Sequence, residues 1–234
     1  MKIKMANTQE VKSKKEQILA LNKEIASKSC CSLSQTRTNL VPGEGSPEAR
    51  IMFIGEAPGQ KEDQEGKPFI GAAGKLLSDL LLTIGLKRED IFIANVLKCR
   101  PPGNRDPLPA EAAACLPWLS RQVAIIDPLL IIPLGRHAME RFLPGMKISA
   151  VRGKILRRNV PGLGFRVFMP TYHPAAVLYH REWLTVLESD FKKIPQILEY
   201  LTENPSNGET DNVSGNWDTL ELGVKKERKQ EGFF

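Results

Sequence analysis

Short apolar runs alternate with stretches whose apolar positions recur at helical spacing. Met52-Phe53-Ile54, Ile91-Phe92-Ile93-Ala94-Asn95-Val96 and Leu129-Leu130-Ile131-Ile132-Pro133-Leu134-Gly135 read as strands, the last so uniformly apolar that it predicts a strand covered on both faces. Leu76, Leu77, Leu80, Leu81 and Ile84 form the inner side of a helix over residues 76–84, closed by Gly85. A second helix starts at Pro109 and continues to about residue 124 with Cys115 inside, and a short one covers 136–142. Strand and helix alternate, so the pattern predicts an α/β domain on a parallel sheet.

The flanks carry weaker patterns. Residues 8–27 place Val11, Ile18, Leu19, Leu21 and Ile25 along one side of a leading helix. Residues 149–158 and 165–169 read as strands around the Gly/Pro turn 160–164, the stretch 170–174 as a loop, and 182–202 as a helix. Beyond Asn204 large apolar residues become scarce, which predicts a disordered tail. The expected organisation is a packed leading helix in 1–27, one domain in 28–203 and a basic tail in 204–234, without internal repeats.

Composition changes this picture in three ways. With 234 residues, 41% of them hydrophobic and 26% charged, the chain is long enough to bury a core. A net charge of +6 and a pI near 9.1 favour an anionic partner without choosing nucleic acid. No apolar run is long enough for a membrane span and the N-terminus lacks a signal peptide's apolar core, so a cytoplasmic location is expected. In that reducing compartment the four cysteines fit ligands or buried thiols better than disulfides.

Candidate chemistry gathers where strands end. Gly55-Glu56-Ala57-Pro58-Gly59 breaks the first run with a rigid turn, and in an open α/β sheet that edge is where ligands bind. Asn95 and His173 fall at corresponding positions. Phe69, between Pro68 and Gly71, is held where it could stack on a flat ligand; it fits equally as a core plug, with Glu62-Asp63-Gln64-Glu65 as a solvated loop. Individually a loop Asn, a His before Pro and a loop Glu have ordinary explanations. Together they suit a planar polar heterocycle, gripped by stacking and edge hydrogen bonds as in enzymes that flip a base from the duplex. Lys98, Arg100 and Arg105 add charge to a loop stiffened by Pro101 and Pro102.

GEAPGQKEDQEGKPFIGAAGKLL, IANVLKCRPPGNRDPLPAEAAAC, IIPLG, VRGK and TYHPA, in this order, closely resemble the family 4 uracil-DNA glycosylases over about residues 30–201. The resemblance implies a three-layer α/β/α fold with a central, mainly parallel four-stranded sheet, a uracil-containing DNA substrate and a 4Fe-4S cluster on four cysteines. It implies that Glu56 positions or activates the hydrolytic water, the backbone at Ala57 contacts the base, Glu62 gates against the thymine methyl, Phe69 stacks, Asn95 reads uracil, and His173 donates at the O2 side. The implied enzyme is a monomeric, monofunctional glycosylase that leaves an abasic site in single- or double-stranded DNA. No lysine is placed as a lyase nucleophile, and NVLKCRPPGNR lacks the inserted histidine loop of a related DNA-trapping branch. A non-catalytic DNA-binding or damage-sensing module on the same fold is the alternative.

The cysteines depart from the family. Cys99 and Cys115 are separated by 15 residues, as the resemblance leads one to expect, but where the family carries C-x-x-C this chain has Lys28 in the first place and Cys31 in the last. Cys30 is the substitute. The favoured set is Cys30, Cys31, Cys99 and Cys115; a cluster on three thiolates, no cluster, and zinc stay open on spacing alone. At the far end, Gln230, Phe233 and Phe234 resemble the short peptides with which repair enzymes bind sliding clamps, since a polar tail has no folding reason to end in two phenylalanines. Folding of the pair back onto the domain is the other reading.

Overall fold

The three apolar runs lie side by side at the centre of a mixed sheet. In this computed structural model, residues 12–28 and 31–204 are described together with the backbone of 218–219. The strands are β1 (Glu44–Gly45), β2 (Ile51–Gly55), β3 (Phe92–Asn95), β4 (Leu130–Pro133), β5 (Leu156–Val160), β6 (Gly164–Phe168) and β7 (Asp218–Thr219), in the order β1-β3-β2-β4-β6-β5-β7. The expected four-stranded parallel centre is β3-β2-β4-β6. Antiparallel β1 borders it on one side and the β5–β6 hairpin with β7 on the other. β7 falls within the stretch read as a structureless tail.

Period-two alternation divides the strand side chains between two apolar layers. Met52, Ile54, Phe92, Ala94, Ile131 and Phe168 face one; Ile51, Phe53, Ile93, Leu130 and Ile132 face the other. The first is covered by α1 (Lys14–Ser27), α4 (Pro109–Ile126), α5 (Gly135–Phe142) and α6 (Ile148–Val151). The second is covered by α3 (Ala72–Thr83), α7 (Pro174–Tyr179), α8 (Leu184–Lys192) and α9 (Ile194–Glu203). α2 (Gln60–Glu65) sits in the loop after β2. The result is three layers, α/β/α. Each central aliphatic side chain buried this way stabilises the fold by roughly 1.5–3 kcal/mol.

Several boundaries differ from the pattern, each for a physical reason. In α1 the buried residues are Ile18, Leu21 and Ile25, whereas Leu19, one step of rotation away, is 52% exposed. Residues 148–151 form a helical turn, and the hairpin starts only at Leu156, after Gly153 takes φ +64° and donates its N–H to Pro170 O. The helix expected over 182–202 divides at Lys193, because Pro195 fits the first turn of a new helix and not the interior of one. Among the described residues no helix is long and apolar enough to cross a membrane.

Candidate active site

Hydrogen bonds between the loops continue the sheet past its strands on the C-terminal edge. Val96 and Leu97 donate to Gly55 O and Glu56 O, Leu134 donates to Ile54 O, and Gly135 donates to Thr171 O. Glu56, Asn95, α5 and the loop carrying His173 are thereby fixed relative to one another. Between them lies a cleft of about 380 Å³, lined by Glu56, Ala57, Glu62, Phe69, Asn95 and His173 among others. All six base-site residues singled out in the sequence meet there.

Phe69 is both plug and lining. It belongs to the apolar layer under α3 and is only 6% exposed, yet its ring reaches the cleft and lies 5.4 Å from the His173 ring. Its backbone is left-handed, φ 52°, a conformation that costs an aromatic residue on the order of 1–3 kcal/mol. Arg88 holds it there by donating to Pro68 O at 2.8 Å and Phe69 O at 2.9 Å, and Gly74 leaves room for that carbonyl.

Asn95 is 2% exposed, and its Oδ1 has no hydrogen-bond partner among the described residues. A buried carbonyl left unpaired costs about 1–3 kcal/mol. Its main-chain carbonyl is held by Lys98, whose Nζ donates to Asn95 O at 2.8 Å and to Gln122 Oε1 at 2.6 Å. Lys98, one of the three cations read in this loop from the sequence, is thus an internal strut, fully buried. Arg105 is the loop cation on the cleft wall, and Glu111 accepts from both its terminal nitrogens.

The acidic run after the first turn is helical and largely engaged. Glu62 Oε1 accepts from the N–H groups of Ile70 (3.0 Å) and Gly71 (2.9 Å), tying α2 to the turn that leads into α3. Asp63 is buried and accepts from the backbone of Thr38 and Asn39, tying the N-terminal loop to α2. The solvated-loop reading therefore fails for these two residues.

His173 heads α7, and its Nδ1 accepts the N–H of Ala175 at 3.1 Å. The neutral ring then carries its proton on Nε2. Burial pushes its pKa down to about 4, against a smaller upward pull from Glu62. At neutral pH the cleft therefore holds an uncharged imidazole with one N–H to give.

Burial pushes the Glu56 carboxyl above the ordinary carboxylate range; His137, Arg136 and Arg141 oppose this and Asp106 adds to it. His137 Nε2 lies 3.9 Å from Glu56 Oε2 and 3.4 Å from Asp106 Oδ2. Sequence reasoning passed over both neighbours. The available signal was Gly135-Arg136-His137 at the end of the third apolar run, the same topological position as Glu56, Asn95 and His173.

Cys99 and Cys115 are buried and Cys31 half-buried, all against the apolar layer on the α4 side. Arg37 Nη1 lies 3.1 Å from Cys99 Sγ, a cation placed to favour a thiolate. The three cysteines come from the N-terminal loop, the loop after β3 and α4. Cys30 lies outside the described residues, as do Gln230, Phe233 and Phe234.

Residues 42–201 match the family model described as the Uracil DNA glycosylase superfamily. The type-4 uracil-DNA glycosylase of Sulfurisphaera tokodaii is 50% identical over 183 residues, covering 76% of this chain and 83% of that protein. Its counterpart from Saccharolobus solfataricus is 53% identical over 174 residues, 72% of this chain and 80% of that protein. The one from Thermotoga maritima is 40% identical over 188 residues, 79% and 97% respectively. The match spans every loop of the cleft, and with identity at this level over most of both chains the protein belongs to the uracil DNA glycosylase superfamily and, within it, to the type-4 uracil-DNA glycosylases.

Proposed function

We propose that this protein hydrolyses the N-glycosidic bond of deoxyuridine in single- or double-stranded DNA, releasing uracil and leaving an abasic site for repair. Membership of the type-4 enzymes supports this, and the observation that carries the site assignment is Asn95 on the cleft wall, its Oδ1 buried and without a hydrogen-bond partner among the described residues. A uracil seated there satisfies it. Asn95 accepts from N3–H and donates to O4, while cytosine presents the inverse pattern and would leave buried polar groups unpaired.

The base enters the cleft flipped from the DNA and stacks on Phe69. Glu62, fixed by the Ile70 and Gly71 amides, stands against the position a thymine methyl would occupy. As the glycosidic bond breaks, negative charge moves onto the base. His173 Nε2–H, neutral and held by Ala175, donates to O2 as that charge develops, an effect typically worth about 3–4 kcal/mol for one well-placed donor. Glu56 orients the water and takes its proton, and its raised pKa makes it a better base than an exposed carboxylate. The backbone at Ala57 completes the base contact.

Cys31, Cys99, Cys115 and Cys30 are proposed to hold a 4Fe-4S cluster. Bound there, it supplies a covalent brace between the N-terminal loop, the loop after β3 and α4. The working unit is proposed to be a cytoplasmic monomer built on residues 28–203, with the leading helix packed against it. The tail is proposed to reach a sliding clamp through Gln230, Phe233 and Phe234; deletion of residues 230–234 should abolish clamp capture and spare excision from a short oligonucleotide.

Asn95→Asp tests the site assignment. Losing the donor to O4 should cost uracil excision about 1–3 kcal/mol of recognition while cytosine gains relative to uracil. Unchanged single-turnover release of uracil by this variant would refute the assignment.

A further inference from the structure

We infer that His137 is a positioning residue for the reaction, set between the carboxylates of Glu56 and Asp106 so that, when protonated, it holds Glu56 ionised and directed at the water. The inference rests on the proposed role of Glu56 as the residue that activates that water. Three separate elements bring the groups together: Glu56 from the loop after β2, Asp106 from the loop leading into α4, and His137 from the first turn of α5. The His137 Nε2 atom is 3.9 Å from Glu56 Oε2 and 3.4 Å from Asp106 Oδ2.

The need for such a residue follows from burial. The Glu56 side chain retains only 28% exposure, and a carboxylate withdrawn from water gains a proton more readily. A protonated Glu56 can still accept a hydrogen bond but can no longer take the water's proton. The cations that oppose this all belong to α5, namely Arg136, His137 and Arg141, and the anion that aggravates it is Asp106. Of these cations Arg136 lies 3.4 Å from Asp106, which partly occupies its charge. His137 is the one placed within ion-pair reach of Glu56, and at 28% exposure its field is less screened than that of Arg136, which is 70% exposed. Asp106 stands on the other side of His137, 3.4 Å from its Nε2, and its negative charge opposes ionisation of Glu56. Because Asp106 is on the proline-stiffened loop that also supplies Arg105 to the cleft wall, the same contact docks that loop against α5.

The test is the pH dependence of single-turnover uracil release from an oligonucleotide carrying one uracil, measured from pH 4.5 to 8.5 on the full chain. His137→Asn removes a cation beside Glu56, so the acid limb should move to higher pH by about half a unit to one unit, with the largest rate loss below neutrality. Asp106→Asn removes an anion and should move the limb the other way. Thermal unfolding at pH 7 should be close to that of the wild type for both variants, since both side chains sit at the rim of the cleft. Opposite displacements support the inference; a uniform rate loss at all pH values, or profiles that superimpose on the wild type, would overturn it. Glu56→Gln separates this result from the underlying reading. If the wild type excises uracil, Glu56→Gln does not, and His137→Asn leaves the limb in place, the inference alone fails. Wild-type protein without uracil release would refute the reading of the site and this inference with it.

Discussion

Asn95 Oδ1 occupies space that a side chain on Gly55 would need. The two residues are register partners on β2 and β3, and a Cβ at Gly55 would also stand 2.7 Å from the Phe69 ring. Gly55 packs against both side chains, and its lack of a Cβ lets the Phe69 ring and the Asn95 amide converge. Gly55→Ala should therefore displace Phe69 or Asn95 by several tenths of an ångström or more, with excision falling on the order of 100-fold, since a misplacement near 1 Å has that effect. Single-turnover rates alongside circular dichroism check this, and a folded variant with the wild-type rate would refute it.

Asp190 ties the His173 loop to the body of the domain. Its carboxylate, 1% exposed, accepts from Thr171 Oγ1 and Arg152 Nη1 and lies 3.4 Å from Lys193 Nζ. Removing Asp190 leaves the buried Thr171 hydroxyl without its acceptor, beside two cations that solvent still reaches, at a cost of about 1–3 kcal/mol. Asp190→Ala should lower the urea midpoint by a corresponding amount, and a midpoint within error of the wild type would show that the network is not stabilising.

A histidine held neutral makes stability depend on pH. The pKa of His173 falls from 6.5 when exposed to about 4 in the fold, so the unfolded chain takes up a proton over an interval in which the native state does not. Its contribution is complete above pH 6.5 and is lost as the pH falls towards 4. Urea unfolding at pH 7, 5 and 4 should show that decline, and His173→Gln should flatten it over this window. An unchanged slope in the variant would place the acid sensitivity elsewhere.

Much of this arrangement was legible in the chain because burial writes itself as periodicity. β2, β3 and β4 are apolar runs, and α3 and α4 show their inward faces at i, i+3 and i+4 spacing. Glu56, Asn95 and His173 were found by position, each at the end of a run. What escaped was polar or depended on distance. The one buried residue in α2 is Asp63, so no apolar stripe announced a helix. α7 follows directly on His173-Pro174, where a proline reads as a loop and also opens a helix. His137 and Asp106 meet only through the fold, and the buried role of Lys98 depends on Gln122, 24 residues away. The unpartnered oxygen of Asn95 is likewise a fact of packing.

The cluster proposal is decided by metal content. Purified protein should be brown, with about four irons per chain and broad absorption near ~400 nm. Cys99→Ser should lose the colour, since that sulfur is buried beside Arg37. Cys30→Ser should lose it as well if Cys30 replaces the ligand missing at Lys28. Full iron in Cys30→Ser would remove Cys30 from the ligand set, and colourless wild-type protein with stoichiometric zinc would replace iron altogether.

The central claim is that this cleft excises uracil and refuses its relatives. Three duplexes, identical except for one uracil, thymine or cytosine, are incubated with excess protein, and free base is quantified with time. The account predicts release from the uracil duplex alone, lost in Glu56→Gln, with strand breakage only after alkali because the product is an intact abasic site. DNA binding without base release, or release of thymine at a rate comparable to uracil, would contradict it.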